Sequence, residues 1–148
     1  MGRENLKRDA AEVVRECVAT RLRLANRVIT RVYDNALRRF GLKVSQMAML
    51  AVAEDRGLIR QSEVRAELHL DDSTMSRNLE LMRANGWLEE TSADDARVHS
   101  YRLTDAGKVL LRQVIPAWRG AQREAKRLLG DAGVQALRRF AEQQGFGG

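Results

Sequence analysis

Residues 61–86 read QSEVRAELHLDDSTMSRNLELMRANG, and their apolar spacing predicts two short helices joined by a tight turn. The first helix is expected over residues 61–68 and the second over residues 73–85. Asp71 or Asp72 would cap the start of the second helix, because a carboxylate accepts hydrogen bonds from free backbone N–H groups there. Two short helices with this connection match a helix-turn-helix. A packed helical hairpin with a polar cap is the alternative.

The segments on either side extend this motif. A helix over residues 45–56 precedes it, with Met47, Leu50 and Ala51 facing inward. After it, residues 87–91 and 98–103 read as two short strands around a polar tip, which is the pattern of a β-hairpin. A hairpin directly after a helix-turn-helix forms a wing.

Long amphipathic helices are predicted at both ends of the chain. Residues 8–40 carry apolar side chains at steps of three or four, and Gly41 is a plausible left-handed cap. Residues 105–129 and 132–144 form two further helices, separated by Gly130. A helix of 33 residues is about 50 Å long, more than a domain of this size needs. The apolar stripes are therefore expected to pack against a second subunit. The predicted fold class is mainly α with a small β-hairpin wing.

Composition favours a basic, intracellular, non-enzymatic protein. Lysine and arginine total 26 against 20 acidic residues, and 22 of the 26 are arginine, whose planar fork suits phosphate. The single cysteine excludes an internal disulfide framework and a thiolate-rich zinc site within one chain. The longest apolar run is too short for a bilayer, and no secretory signal opens the chain. We expect a cytoplasmic location, no membrane association, no cofactor, no metal and no catalytic residues.

The ordered motifs resemble those of MarR-family winged-helix transcription regulators. The resemblance covers about residues 10–145 and implies a homodimer in which residues 41–103 bind DNA and residues 1–40 and 104–148 dimerise. The residues that carry it are Gly41-Leu42, Gln46, Leu50, Ser62-Glu63, Leu68, Leu70-Asp71, Thr74-Met75-Ser76-Arg77, Leu79, Asn85-Gly86-Trp87-Leu88-Glu89, Asp95-Ala96-Arg97 and Leu103-Thr104-Asp105-Ala106-Gly107.

The resemblance also implies the DNA contacts. The helix after the turn would enter the major groove, where hydroxyls reach either base type, arginine reaches guanine and asparagine reaches adenine. The wing arginine would enter the minor groove, held by an acid two residues earlier; a local ion pair shaping the loop is the alternative role for these two residues. The expected contacts are Ser73, Thr74, Ser76, Arg77, Asn78, Asp95 and Arg97.

Dimerisation is assigned to apolar side chains of the terminal helices. For Trp118, packing inside one subunit is the alternative. The expected dimerisation residues are Val14, Leu22, Val114, Trp118, Leu128, Leu137 and Phe140.

The function most consistent with this resemblance is that of a homodimer that binds a pseudo-palindromic operator in duplex DNA, as a repressor released by a small aromatic or anionic ligand. The ligand would bind between the dimerisation helices and the DNA-binding lobe. A protein–protein interaction module that has lost DNA affinity is the rival. A third possibility is an oxidant sensor that uses Cys17, for which Arg21 at i+4 would lower the thiol pKa. Against it, Cys17 lies among valines, and a free cysteine is commonly a small buried residue.

Charge departs from the family pattern in two places. Residues 41–103 hold 8 basic and 11 acidic residues, so the presumed DNA-binding lobe is acidic, and Asp72 stands where a basic residue is common. Arg23, Arg27 and Arg31 follow each other at intervals of four, where like charges repel mildly. Either they form a solvated face, or DNA phosphates, a partner subunit or an anionic ligand neutralises them.

Overall fold

The computed structural model describes residues 2–92 and 99–145 as six helices, a short 3₁₀ turn and three strands. In chain order the elements are α1 (Gly2–Glu16), α2 (Val18–Leu37), the 3₁₀ turn (Arg38–Phe40), α3 (Val44–Arg56), β1 (Ile59–Arg60), α4 (Gln61–Leu68), α5 (Asp72–Ala84), β2 (Leu88–Ser92), β3 (His99–Leu103) and α6 (Asp105–Gln143).

The central lobe contains the predicted helix-turn-helix and wing. Helices α4 and α5 start and end within a residue of the predicted bounds. Strands β2 and β3 pair antiparallel, with Leu88 opposite Leu103. A third strand, β1, was not predicted, because two residues are too few to show an alternating pattern. It pairs with β3 and places Ile59 opposite Tyr101, so the sheet order is β1-β3-β2.

One core joins the lobe to the neighbouring ends of α2 and α6. It contains Leu37 from α2, Met75, Leu79 and Met82 from α5, and Leu111 and Val114 from α6. On α3 the expectation for Ala51 was wrong: Ala51 is exposed, and Met49 and Ala53 are buried instead. Helix α3 is enclosed on more than one side, so a single apolar stripe does not describe its buried surface.

The prediction of one helix over residues 8–40 was wrong. The chain leaves helical geometry at Cys17, where φ is −61° and ψ is 110°, and α2 begins at the next residue. None of the described side chains of α1 is buried, so no packing within the chain holds the two segments in line. Gly41 has φ 70° and ends the 3₁₀ turn as expected.

Helix α6 begins and breaks where the sequence indicates. Thr104 caps its start by accepting a hydrogen bond from the Gly107 N–H at 3.0 Å, and its own hydroxyl donates to the Gly86 carbonyl at 2.6 Å. Gly130 has φ 67° and ψ 166°, which interrupts the helix at the predicted position. Tyr33 of α2 donates a hydrogen bond to the Gln122 side chain of α6, which ties the two long helices together.

Candidate nucleic-acid interface

The turn between α4 and α5 depends on one left-handed residue. His69 has φ 52° and ψ 40°, a conformation that costs a non-glycine residue only modestly. The Leu70 N–H bonds back to the Arg65 carbonyl at 3.2 Å, which closes the end of α4. The chain then extends at Asp71 and enters α5, so the turn is as tight as a helix-turn-helix requires.

Asp71 caps α5 and orients the two hydroxyls that follow it. Its carboxylate accepts the Thr74 N–H at 2.8 Å and the hydroxyls of Ser73 and Thr74, each at 2.6 Å. These hydrogen bonds hold the pKa of the Asp71 carboxyl far below its usual range. Since both hydroxyl protons point to Asp71, Ser73 and Thr74 present oxygen lone pairs, and thus acceptors, to anything that approaches the helix.

The outer face of α5 presents Ser73, Ser76 and Arg77, which are all exposed. Arg77 has no salt-bridge partner among the described residues; its guanidinium lies 3.5 Å from the Thr74 hydroxyl, which is itself partly buried. An exposed guanidinium on the second turn of a capped helix can reach either a base edge or a phosphate.

The prediction of a DNA contact from Asn78 needs correction. Its side chain is only 8% exposed. It accepts a hydrogen bond from the Gln46 amide at 3.3 Å and donates one to the Ser45 hydroxyl at 3.3 Å. The signal was in the spacing, because Asn78 follows Met75 by three residues and precedes Met82 by four, on the buried face of α5.

Sequence reasoning assigned no role to the polar groups that position α5. Gln46 holds Asn78 and also accepts the Lys43 N–H at 2.9 Å, at the start of α3. The carboxylate of Asp34, on α2, accepts the Val44 N–H at 2.8 Å. A series of hydrogen bonds therefore runs from α2 through the start of α3 to the middle of α5.

Two opposite charges near the start of α5 neutralise each other in part. The Arg65 guanidinium lies 2.7 Å from the Asp72 carboxylate, in the first turn of the helix, where an acid is itself favourable. The pair is exposed, so it is screened and adds little stability. It does reduce the repulsion that Asp72 would exert on a phosphate.

The wing is held by ion pairs on its strands. Glu90 of β2 contacts Arg83 of α5 at 3.1 Å and the ring of His99 on β3, and the His99 contact is the main reason why the pKa of Glu90 lies below its usual range. Asp95 and Arg97, the predicted wing contacts, lie outside the described residues.

The predicted dimerisation residues divide into two groups. Val114 is fully buried within its own chain, so its assignment to a subunit interface was wrong. Trp118 is partly buried against the same core. This position agrees with the alternative interpretation, in which Trp118 packs inside one subunit. The exposed apolar members are Val14, Leu22, Leu128, Leu137 and Phe140.

A cavity of roughly 640 Å³ lies between α3 and α6. Its walls are mostly apolar and include Met47, Val52 and Trp118. Trp118 therefore lines this cavity as well as packing against the core. Arg119, Glu54 and Asp55 also line it. Such a combination suits a small apolar molecule that carries one or two polar groups.

Cys17 is a free thiol, half-buried at the break between α1 and α2. Within one chain the neighbouring valines do not bury it, because Val13, Val14 and Val18 are exposed. A hydrogen bond from the Thr20 side chain is the main cause that lowers the pKa of the thiol. Arg21 instead contacts the Arg15 carbonyl and Glu16.

Two structural absences complete the description. Within residues 2–92 and 99–145, no helix combines the length and apolar character needed to span a membrane. No cluster of three or more histidine, cysteine, aspartate or glutamate side chains with metal-binding potential occurs in the same ranges.

The fold and the exposed face of α5 define a winged helix-turn-helix protein. Comparisons with known protein families and solved structures support this assignment of the fold. The model of the MarR family matches residues 40–98. A crystal structure of the M. tuberculosis transcriptional regulator MosR in complex with DNA is 34% identical, with a TM-score of 0.71, over 86% of this chain and 98% of that one. The chain belongs to the MarR family of transcriptional regulators.

More distant structures share the fold. A probable transcriptional regulator from Pseudomonas aeruginosa is 23% identical, with a TM-score of 0.78, over 88% of this chain and 98% of that one. Bordetella bronchiseptica BpsR, described with 6-hydroxynicotinic acid as a regulator of its DNA binding, is 19% identical, with a TM-score of 0.78, over 90% and 96% of the two chains. A search of curated proteins found no match.

Proposed function

We propose that this regulator is a homodimer that binds a pseudo-palindromic operator in duplex DNA through α5. The observation that carries the proposal is the exposed face of α5, where Arg77 has no acidic partner in the described part of the chain and Ser73 and Ser76 flank it. The 34% identical M. tuberculosis regulator, whose structure is a complex with DNA, supports it. Arg97, with Asp95, is proposed to enter the minor groove. A narrow minor groove has an enhanced negative potential, which attracts arginine.

Residues 41–103 are proposed to bind DNA, and residues 1–40 and 104–148 to dimerise. Helix α1 buries none of its described side chains, and an isolated helix of 15 residues is marginal in water. The terminal helices also leave large apolar side chains exposed, including Leu22 and Phe140. A second copy of the chain covers such surfaces in this proposal, and a dimer presents two α5 helices to two half-sites.

Repression is proposed to be relieved by a small aromatic or anionic ligand in the cavity between α3 and α6. The α3 wall of that cavity includes Met47, the residue after Gln46, and Gln46 holds Asn78 on α5. A ligand that moves α3 would therefore move α5 and change the separation of the two lobes. Arg119 offers a charge for an anionic group. The DNA binding of BpsR, which shares the fold, is regulated by 6-hydroxynicotinic acid, an aromatic acid of this class.

Control by oxidation at Cys17 is a second candidate, favoured by the thiol pKa. Because the Thr20 hydrogen bond lowers the pKa of the Cys17 thiol, a larger fraction of it is thiolate at neutral pH than for an ordinary cysteine. If Cys17→Ser abolishes release of DNA by peroxide, this mode replaces ligand control. If the variant responds as the wild type does, the cavity remains the candidate sensor.

The test is a titration of a labelled palindromic duplex with the wild type, Arg77→Ala, Arg97→Ala and the double variant, at several salt concentrations. We expect loss of Arg77 to weaken binding by about 1–3 kcal/mol if it contacts a base, and to relax the preference at one position in each half-site. Loss of Arg97 should weaken binding mostly at sites with A·T-rich flanks.

Arg123→Ala is the matched control, because Arg123 is an exposed arginine of α6 that no acid pairs in the described ranges. Its affinity should equal that of the wild type. Wild-type affinity in the Arg77, Arg97 double variant would remove the winged helix from DNA recognition and favour the interaction-module alternative.

A further inference from the structure

Four arginines line one groove along α2. Arg23, Arg27, Arg31 and Arg38 surround a concavity of roughly 470 Å³, together with amide and hydroxyl side chains such as Asn26 and Thr30. None of the four has a salt-bridge partner among residues 2–92 and 99–145. The acid in the groove is Asp34, and its carboxylate already accepts the Val44 N–H. The groove therefore has a positive charge that its own side chains do not neutralise.

The groove continues to the side of α5. Asp34 and Arg38 also line a second cavity, with Lys43 and Gln46 at the start of α3 and Leu81 on α5. Leu81 follows Arg77 by four residues, so it lies beside Arg77 on the surface of α5. From Arg38 to Arg23 the helix rises about 22 Å, and each interval of four residues rises about 6 Å. We call this line of five basic side chains, Arg23, Arg27, Arg31, Arg38 and Lys43, the α2 track.

The charge distribution along the chain indicates which ligand fits the α2 track. Residues 41–103 have a net charge of −3, whereas residues 1–40 hold 10 basic and 5 acidic residues. A lobe of net negative charge neutralises few phosphates by itself. Regularly spaced guanidinium groups beside that lobe match a repeating anion, and guanidinium forks suit phosphate oxygens in particular.

We propose that the α2 track binds the phosphate backbone of duplex DNA that flanks the operator, beyond the base pairs that α5 contacts. The inference rests on the proposed DNA-binding function and extends the footprint of each subunit. It gives Arg23, Arg27 and Arg31 a positioning role without sequence preference, because phosphate contacts carry no base information. Much of the salt dependence of DNA binding would then come from contacts with the flanking DNA rather than from the helix-turn-helix.

The experiment compares two duplexes and three variant proteins. One duplex carries the operator sequence enriched from a random pool, and the other carries the same sequence with twelve further base pairs at each end. The variants are Arg23→Gln/Arg27→Gln/Arg31→Gln, the same three positions changed to lysine, and Arg123→Gln/Arg138→Gln/Arg139→Gln. The last set removes the same charge from exposed positions on α6 that have no salt-bridge partner in the described part of the chain. Circular dichroism and sedimentation confirm that each variant is folded and associates as the wild type does.

For the wild type, the longer duplex should bind more tightly and with a steeper salt dependence. Each neutralised phosphate adds about 0.9 to the slope, so three contacts per subunit, or six per dimer, increase the loss of affinity between 50 and 200 mM salt by roughly 10³-fold. The glutamine triple variant should lose this gain and bind the short duplex as the wild type does. The lysine variant should keep most of the gain, since it keeps the charges, and the α6 variant should keep all of it.

Several results would overturn the inference. One is equal salt slopes on the two duplexes for the wild type; another is an equal loss on both duplexes for the glutamine variant. Loss of the dimer in the glutamine variant would assign the track to a subunit contact instead. Failure of the wild type to enrich any sequence from the random pool would overturn the proposed DNA-binding function as well, whereas the other results leave that function intact.

Discussion

Replacing Asn78 with alanine should destabilise the protein although Asn78 lies on the helix proposed to contact DNA. The substitution removes a buried hydrogen bond from the Gln46 amide and a partly buried one to the Ser45 hydroxyl, both at 3.3 Å. Each such bond contributes about 1 kcal/mol net. The Gln46 side chain is itself buried, so the loss of its acceptor adds a desolvation cost of about 1–3 kcal/mol. Together these contributions lower the expected free energy of unfolding by about 3–5 kcal/mol.

The assay is urea unfolding followed by the fluorescence of Trp87 and Trp118, at one fixed protomer concentration because association shifts apparent stability. A double-mutant cycle with Gln46→Ala isolates the contact between the two amides. The coupling free energy should be about 1 kcal/mol, as for residues in one hydrogen-bond network. Ser76→Ala is the matched control on the same helix, since Ser76 is exposed, and its stability should change by less than about 0.5 kcal/mol.

Two results would refute this reasoning. If Asn78→Ala unfolds at the wild-type urea concentration, the amide is not buried as described. If the coupling with Gln46 is near zero while each single variant is destabilised, the cost comes from lost packing and not from the hydrogen bond between α3 and α5.

Three further predictions concern the close contact of α6 with Trp87, the thiol and the dimer. Gly107→Ala places a Cβ 2.3 Å from the Trp87 carbonyl oxygen and should lower the free energy of unfolding in urea by about 1–3 kcal/mol. In the control variant Gly120→Ala the nearest atom to the new Cβ is Arg123 Nη2 at 3.9 Å, so its stability should be unchanged or higher by up to about 1 kcal/mol. Equal stability of the two variants would contradict the geometry. Thr20→Val should raise the pKa of the Cys17 thiol, so the pH profile of its alkylation by iodoacetamide should shift to higher pH and the rate at neutral pH should fall; an unchanged profile would exclude Thr20 as the cause. Leu22→Glu and Phe140→Glu should each convert the dimer to a monomer near 16.7 kDa in sedimentation. The control variant Leu58→Glu, which changes an exposed leucine of the lobe, should remain a dimer. Dimers in all three variants would contradict the proposed interface.

The helix-turn-helix was predictable because its signals are local. Asp71 caps α5 through atoms within three residues of it, and Met75, Leu79 and Met82 show the period of one buried face. The caps at Gly41 and Thr104 and the break at Gly130 are equally local, since each depends on a single residue with special backbone or capping chemistry.

What the sequence did not predict depends on contacts between distant segments. The break at Cys17 has no glycine or proline to mark it. Asn78 has the residue type of a base contact, although its spacing from Met75 and Met82 places it on the buried face of α5. The sequence did not predict its hydrogen-bond partners on α3, which lie more than thirty residues away. Val114 lies on an apolar stripe like that of Leu128, but α6 packs on the lobe at one end and leaves the other end exposed. An apolar period does not distinguish contact within a chain from contact between chains.

The most direct test of the central claim is selection of binding sites from a pool of random duplexes, with the wild type and Arg77→Ala compared at one salt concentration. The account predicts that the wild type enriches a pseudo-palindrome whose half-site centres lie about one helical turn apart or a multiple of it, because two α5 helices must enter major grooves on one face. Arg77→Ala should enrich a weaker motif that is degenerate at one position in each half-site if Arg77 contacts a base. A wild-type pool with no enriched motif, or an Arg77→Ala variant that enriches the same motif and binds it with wild-type affinity, would contradict the assignment of α5 as the recognition helix.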